Sequence, residues 1–272
     1  MKRRGMISGY LFTILTVFVL VVFAFPLVWM LLASFKTQIQ MQSTSNFFFF
    51  EPTMKNYVQV FQENNFMKYI YNSAVVALGA TAGGLLLGLP AAYSIARYRM
   101  HGLALTILIA RIVPGITFLL PWFILFNNMN LIDSYTALIL SHMLVSLPFI
   151  IWVMIPFFES LPNEIEEAAL IDGSSKAGVF VRIVLPISGP GIITSSLMSI
   201  IFSWNNFLFS LVLAGEKTKT LPIALFNFIS YSEVNWGGLM AAATVITLPI
   251  IIIALFSQRY VISGLSAGAV KG

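Results

Sequence analysis

The sequence predicts an all-α membrane protein with six transmembrane helices and a cytoplasmic helix-turn-helix loop between the fourth and fifth. Three observations carry this. Of 272 residues, 58% are hydrophobic and 9% charged, with a mean hydropathy of +0.91; a soluble domain has about a quarter of its residues charged. Six apolar runs reach the roughly 20 residues that a helix needs to cross a bilayer. Four of the ten carboxylates (Glu164, Glu166, Glu167 and Asp172) fall in one polar island, Leu161 to Pro190, with Glu159 just before it.

The runs lie near Tyr10–Ser34, Tyr71–Ala96, Leu103–Phe126, Tyr135–Phe158, Gly191–Ala214 and Gly237–Phe256. The first follows Lys2, Arg3 and Arg4 but exceeds the 7–15 residues of a signal core. An uncleaved first span is expected. It contains Pro26, which a span tolerates, and leads to Trp29 and Lys36 as an interfacial anchor. The Phe47–Phe50 run that follows is too apolar for a free linker; it lies at the membrane surface or packs on a partner. Residues 1–70 thus form an N-terminal helix and external loop, and 71–272 a five-span core.

The second run is rich in small residues, Gly79, Ala80, Gly83, Gly84 and Gly88, which permit close helix approach in lipid. Tyr93, Arg97, Tyr98 and Arg99 mark its end. Arg111 falls inside the third run, where a charge costs at least roughly 2.5–3.5 kcal/mol. It faces a substrate cavity or a partner carboxylate, or else it snorkels or bonds carbonyls freed near Pro114. Trp122, in the same run, is a further pathway candidate. His142 in the fourth run reads first as a hydrogen-bonded interior residue. Asn205 and Asn206, between Trp204 and Phe207, need partners in hydrocarbon. Aromatic and amide groups here suit a sugar, and equally an interhelical hydrogen bond.

The island reads as helix, turn, helix. Asn163 is a natural N-cap, with Glu166 placed to complete a capping box. The glutamates occupy the first turn, where the helix dipole favours negative charge. Gly173 supplies the left-handed conformation that ends the helix. Ser174 is placed to cap a second helix over Ala177–Val184, and Pro186 to stop it.

Orientation follows the distribution of Lys and Arg. One side carries Lys2, Arg3, Arg4, Arg97, Arg99, Lys176, Arg182, Arg259 and Lys271; the other carries Lys36, Lys55, Lys68, Lys217 and Lys219. The richer side is the expected cytoplasm, with both termini and the island inside. The net charge of +5 is explained by this topology rather than by nucleic acid.

The chain has no cysteine, which removes disulfides, thiolate nucleophiles and iron–sulfur clusters. It has no G-x-x-x-x-G-K-[ST] phosphate loop, and no nucleophile–base pair or metal cluster is recognisable. The expectation is neither catalytic nor metal-binding residues and no cofactor on this chain. The ten carboxylates fall outside the runs or at their edges, whereas proton-coupled carriers commonly keep one within the membrane.

Glu167-Ala168-Ala169, Gly173 and Ile183-Val184-Leu185-Pro186 recur at the spacing of the EAA loop of ABC importer membrane subunits. EEAALIDG followed by IVLP resembles the carbohydrate-importing, maltose-transporter branch. Pro90–Gly102, Trp204–Phe207 and the C-terminal SGLSAGAVKG are similar to segments of the same family. The resemblance implies a permease subunit whose loop, residues 159–190, couples to an ATPase through Glu164, Glu166, Glu167, Ala168, Ala169, Leu170, Asp172, Gly173 and Lys176. It further implies a bacterial inner-membrane location, a second related permease subunit, and two ABC ATPase copies holding ATP and Mg. An extracytoplasmic solute-binding protein, approached by the Gly215–Trp236 loop, would deliver a sugar, oligosaccharide or polyol. The alternatives are an ion-driven secondary carrier using His142, and a membrane scaffold.

Overall fold

The computed structural model describes residues 2–43, 47–230 and 233–267, with side chains at 11–43, 47–230, 233–255 and 258. The charges of Lys2, Arg3, Arg4, Arg259 and Lys271, and the C-terminal tail, therefore lie outside the described side chains. The described backbone is helical. The longer helices are α1 (Lys2–Ser34), α2 (Phe66–Arg97), α3 (His101–Ile112), α4 (Leu119–Asn128), α5 (Tyr135–Ser160), α6 (Asn163–Ile171), α7 (Lys176–Ile187), α8 (Gly189–Trp204), α9 (Leu208–Leu213) and α10 (Trp236–Ala267).

Four helices are long and apolar enough to cross a membrane: Leu11–Ser34, Phe66–Arg97, Tyr135–Ser160 and Trp236–Leu255. The third and fifth expected runs are not straight spans. The third bends by 87° between His101–Ile112 and Gly115–Asn128. Proline at 114 removes an N–H and pushes Val113 into the extended region, at φ −62° and ψ 122°. In the fifth, α8 ends at Trp204 and a separate short helix begins at Leu208. A further bend of 78° separates Lys176–Ile187 from Gly189–Trp204, where Pro190 opens the new helix, a position that needs no N–H. Helix α1 runs through Pro26 without a break.

The chain forms two units, Met1–Phe66 with Leu225–Leu248, and Met67–Ala224 with Pro249–Gly272. In the first, Lys36 is almost fully buried. Its ammonium donates to the Phe47 carbonyl at 2.7 Å and lies 4.5 Å from the Trp29 ring and 4.8 Å from Phe50. Burial pulls its pKa below the ordinary lysine value. Phe47 stacks on Trp29 at 4.3 Å, so the aromatic run folds back on its own chain at that residue, while Phe49 stays 89% exposed.

The second unit has two apolar clusters. One joins Leu89, Ala92, Ile95 and Ala96 of α2 to Ile150, Met154 and Phe158 of α5, and to Ala169, Val179 and Val184. The other gathers Val76, Phe126, Leu138, Phe209 and Leu213. The small residues of α2 give the close approach expected of them: a Cβ on Gly84 would stand 2.8 Å from Ile150 Cδ1, and one on Gly83 2.7 Å from Met143 Sδ. Hydroxyls tie the apolar packing together, as in the 2.8 Å contact between Thr81 Oγ1 and Ser199 Oγ. In lipid such bonds supply association that water exclusion cannot.

Candidate functional site

The polar island forms a hairpin of helices hung beneath the α2–α5 cluster. Leu161 leaves α5 in an extended conformation and Pro162 occupies the N-cap of α6. Asn163 is the first helical residue rather than the cap, and the expected capping box is absent. A proline cap has no side-chain acceptor, and Glu166 is engaged elsewhere.

Glu166 turns inward onto the end of α2. One carboxylate oxygen accepts from Arg97 Nε at 2.7 Å and from Arg97 Nη2; the other accepts from Tyr93 Oη at 2.5 Å. Arg97 Nη1 also reaches the Leu161 carbonyl at 3.4 Å. Tyr93 is held in turn by the rings of Phe158 at 5.7 Å and Phe180 at 4.9 Å. Three residues on, at the spacing that keeps a helical residue on the same face, Ala169 is buried in the α2–α5 cluster. Ala169 therefore packs against its own chain.

The opposite face is open. Glu164, Glu167, Ala168, Leu170, Asp172, Gly173 and Lys176 are exposed, and Ile171 is 86% exposed. Gly173 ends the helix at φ +88°. Its N–H donates to Leu170 O at 3.1 Å and that of Ser174 to Ala169 O at 3.0 Å. This is the paired bonding of a Schellman turn. Ser175, not Ser174, caps the next helix, accepting from Gly178 N at 3.1 Å. That helix runs past Pro186 to Ile187, because a π-helical segment at Phe180–Val184 precedes the proline. Of the residues that match the EAA pattern, Glu167, Ala168 and Gly173 thus stand exposed on a short, acidic, glycine-ended helix, while Ala169 is buried beneath it and residues 183–186 lie on α7.

The other sequence candidates are scattered. Arg111 is exposed in the last turn of α3, its guanidinium 4.9 Å from the Phe149 ring and 5.8 Å from Trp152. Trp122 is half-buried and stacks on Phe126 at 4.8 Å. Asn205 Nδ2 donates to Ile201 O at 3.0 Å, and Asn206 Oδ1 accepts from Phe209 N at 3.2 Å. Both amides therefore bond the helix ends on either side of the break at Phe207, rather than a neighbouring helix. Through Phe209, Asn206 touches the cluster on which Trp122 packs; Arg111 sits on a different pair of rings. Among the described residues no group of three or more His, Cys, Asp or Glu side chains gathers to hold a metal ion.

Two polar centres stand apart from these: His142, the hydrogen-bonded interior residue its sequence suggests, and Asp133, which no sequence motif singles out. His142 is buried, with Nδ1 2.7 Å from Ser203 Oγ and Nε2 3.5 Å from Ser210 Oγ. Asp133, at φ +57°, organises residues 215–218 through four hydrogen bonds to its carboxylate. Nearby, Asn72 Nδ2 donates to the carbonyls of Lys217 and Lys219 at 3.0 and 2.8 Å. An aspartate before a serine signals a turn, but nothing in its local sequence indicates partners more than 80 residues away.

Fold and site together define a multi-span helical membrane protein carrying an exposed helical hairpin. The chain belongs to the family of binding-protein-dependent transport system inner membrane components, which it matches over residues 84–266. It is 36% identical to the probable ABC transporter permease protein y4oR of Sinorhizobium fredii, covering 92% of this chain and 91% of that one. It is 30% identical to the trehalose/maltose transport system permease protein MalG of Thermococcus litoralis, over 99% of both chains. Its fold matches a chain of a bacterial ABC transporter that imports the acidic polysaccharide alginate, with a TM-score of 0.78 at 19% identity, covering 95% and 98% of the two chains. The ion-driven carrier and the scaffold find no support among these relatives.

Proposed function

We propose that this permease subunit imports a sugar, oligosaccharide or polyol delivered by an extracytoplasmic binding protein, and that α6 is its coupling helix. The observation that carries the reading is the free outer face of α6, where Glu167 and Ala168 of the EAA pattern stand beside the 86%-exposed Ile171. In this reading six spans, two of them bent, leave both termini and the α6–α7 hairpin in the cytoplasm, an orientation that the Lys and Arg distribution supports. A second related subunit completes the pathway, and two ABC ATPase copies, which hold ATP and Mg, dock beneath. Closure of the ATPase pair draws the hairpins together and opens the cavity outward; hydrolysis resets it. Glu167 makes an ionic contact with the ATPase, and Ile171 fills an apolar pocket on it. Trehalose/maltose and alginate systems among the similar proteins support a carbohydrate substrate.

Purification from the membrane, with ATPase stimulation measured across a panel of sugars, tests this directly. An ABC ATPase and a second permease are expected to co-purify, and Glu167→Gln combined with Ile171→Asp to release the ATPase. The natural chain has no cysteine, so Asp172→Cys gives a single label site, expected to react only from the cytoplasmic side. Labelling from outside, or uptake that survives ATP depletion but collapses with the proton gradient, would overturn the reading.

A further inference from the structure

Glu166 does not share the task of its neighbours. On α6, Glu164 and Glu167 are exposed, whereas the Glu166 side chain is only 13% exposed and meets Arg97, itself 14% exposed. The acidic residues of the hairpin thus split between two faces. We propose that the inward group of Glu166, Arg97 and Tyr93 is the mechanical tie that passes movement of α6 into α2, so that Glu166 is a positioning residue rather than an ATPase contact. The proposal rests on the coupling role of α6 given above.

The geometry favours a tie over a surface ion pair. Both carboxylate oxygens are used, one by two N–H groups of Arg97 and the other by Tyr93 Oη at 2.5 Å. Charge-assisted bonds of this kind are about twice as strong as neutral ones and fix orientation. Arg97 lies in the last turn of α2, and Tyr93 one turn earlier, so one carboxylate grips two successive turns of the same helix. The Arg97 fork also reaches the Leu161 carbonyl at 3.4 Å, at the junction between α5 and α6. Beside the tie, Ala169 is packed into the α2–α5 cluster. Two adjacent points of α6 are therefore fastened to the membrane helices, one polar and one apolar. Displacement of the outer face has no slack to take up before α2 moves. Without the polar point, α6 keeps its outer face but pivots on Ala169 alone.

The test uses the whole complex in proteoliposomes with its binding protein, reading ATPase co-purification, ATP hydrolysis and substrate moved per ATP. Glu166→Gln and Arg97→Gln are each expected to keep the ATPase bound and hydrolysing, while substrate moved per ATP falls by at least about fivefold. The exchanged pair Arg97→Glu with Glu166→Arg is expected to recover part of that ratio, which a nonspecific loss of folding would not do. Tyr93→Phe, which removes a single hydroxyl, keeps the test alive if the charge variants fail to insert; it is expected to lower the ratio about two- to threefold. Wild-type coupling in an inserted Glu166→Gln protein overturns the tie alone. Release of the ATPase by Glu166→Gln overturns it too, making Glu166 a docking residue. Failure of the wild-type chain to hold any ATPase overturns the coupling role itself.

Discussion

Thr218 approaches one oxygen of Asp133 twice, with its hydroxyl at 2.7 Å and its backbone N–H at 2.9 Å. The N–H groups of Gly215 and Lys217 complete the set at 2.9 and 3.1 Å. Burial alone would raise the Asp133 pKa, but the bonds from Thr218, Lys217 and Gly215 outweigh it and hold it below the ordinary value. The folded state therefore favours the ionised form. The resulting stability is fully present above the unfolded pKa of about 3.9 and is lost as the pH falls through the lower folded value.

Asp133→Asn should remove that acid dependence. The amide keeps one acceptor oxygen and loses the charge, so the neutral-pH unfolding midpoint should drop by an amount equivalent to roughly 1–3 kcal/mol. The wild-type and variant curves are expected to converge as the acid limit is approached. Thermal unfolding of the purified protein at pH 7 and pH 3 checks both parts; parallel curves would contradict the assignment.

Gly191 and Gly79 should differ when replaced by alanine. A Cβ at Gly191 would stand 2.7 Å from Phe157 Cγ, the fixed root of a ring, while one at Gly79 would meet Ile139 Cδ1 at 2.6 Å, the free end of a flexible chain. Ile139 can change rotamer and Phe157 must shift bodily. Gly191→Ala is expected to cost about 1–3 kcal/mol and Gly79→Ala distinctly less, as read from thermal unfolding of the two variants side by side.

His142 holds Ser203 and Ser210 with its two ring nitrogens in a buried site, which makes it a packing residue. His142→Ala strands both hydroxyls, at roughly 1–3 kcal/mol each. His142→Gln keeps a donor and an acceptor and should retain most stability. If the importer reading holds, uptake by wild type and by the Gln variant alike is expected to depend on ATP and to be insensitive to a protonophore.

Gly173 should be sensitive for its backbone alone. A Cβ there meets nothing within 4 Å, yet φ +88° is strained for any L side chain, at roughly 1–2 kcal/mol. Gly173→Asn, which tolerates the left-handed region, should keep much of the transport that Gly173→Ala loses. Gly173→Trp should insert normally but abolish transport. Uptake assays normalised to membrane content separate these outcomes.

Much of the fold was legible because it depends on local chemistry. The apolar runs announced the long helices, Gly173 its positive φ, and the small residues of α2 a close neighbour. Where the structure differs, the reasons are separate. Asn163 was read as a cap because its side chain suits one, but Pro162 took the position and Glu166 was drawn away by Arg97. Trp204–Phe207 and Val113–Pro114 looked continuous in hydropathy, which does not register the direction of the axis. Asn205 and Asn206 suit a sugar or an interhelical bond by residue type, and of the two the interhelical bond is absent, because both amides bond the ends of their own broken helix.

By itself the sequence determined that this chain is a helical membrane protein, and where its acidic hairpin turns. Those properties follow from how many apolar residues run together and from the φ that only glycine reaches freely. Tertiary structure alone decided which glutamate faces its own chain and which aspartate gathers residues 215–218. Glu166 and Arg97 are 69 residues apart in sequence. A bond across that distance exists only once the helices have packed, because packing sets which side of α6 is removed from solvent and which stays open.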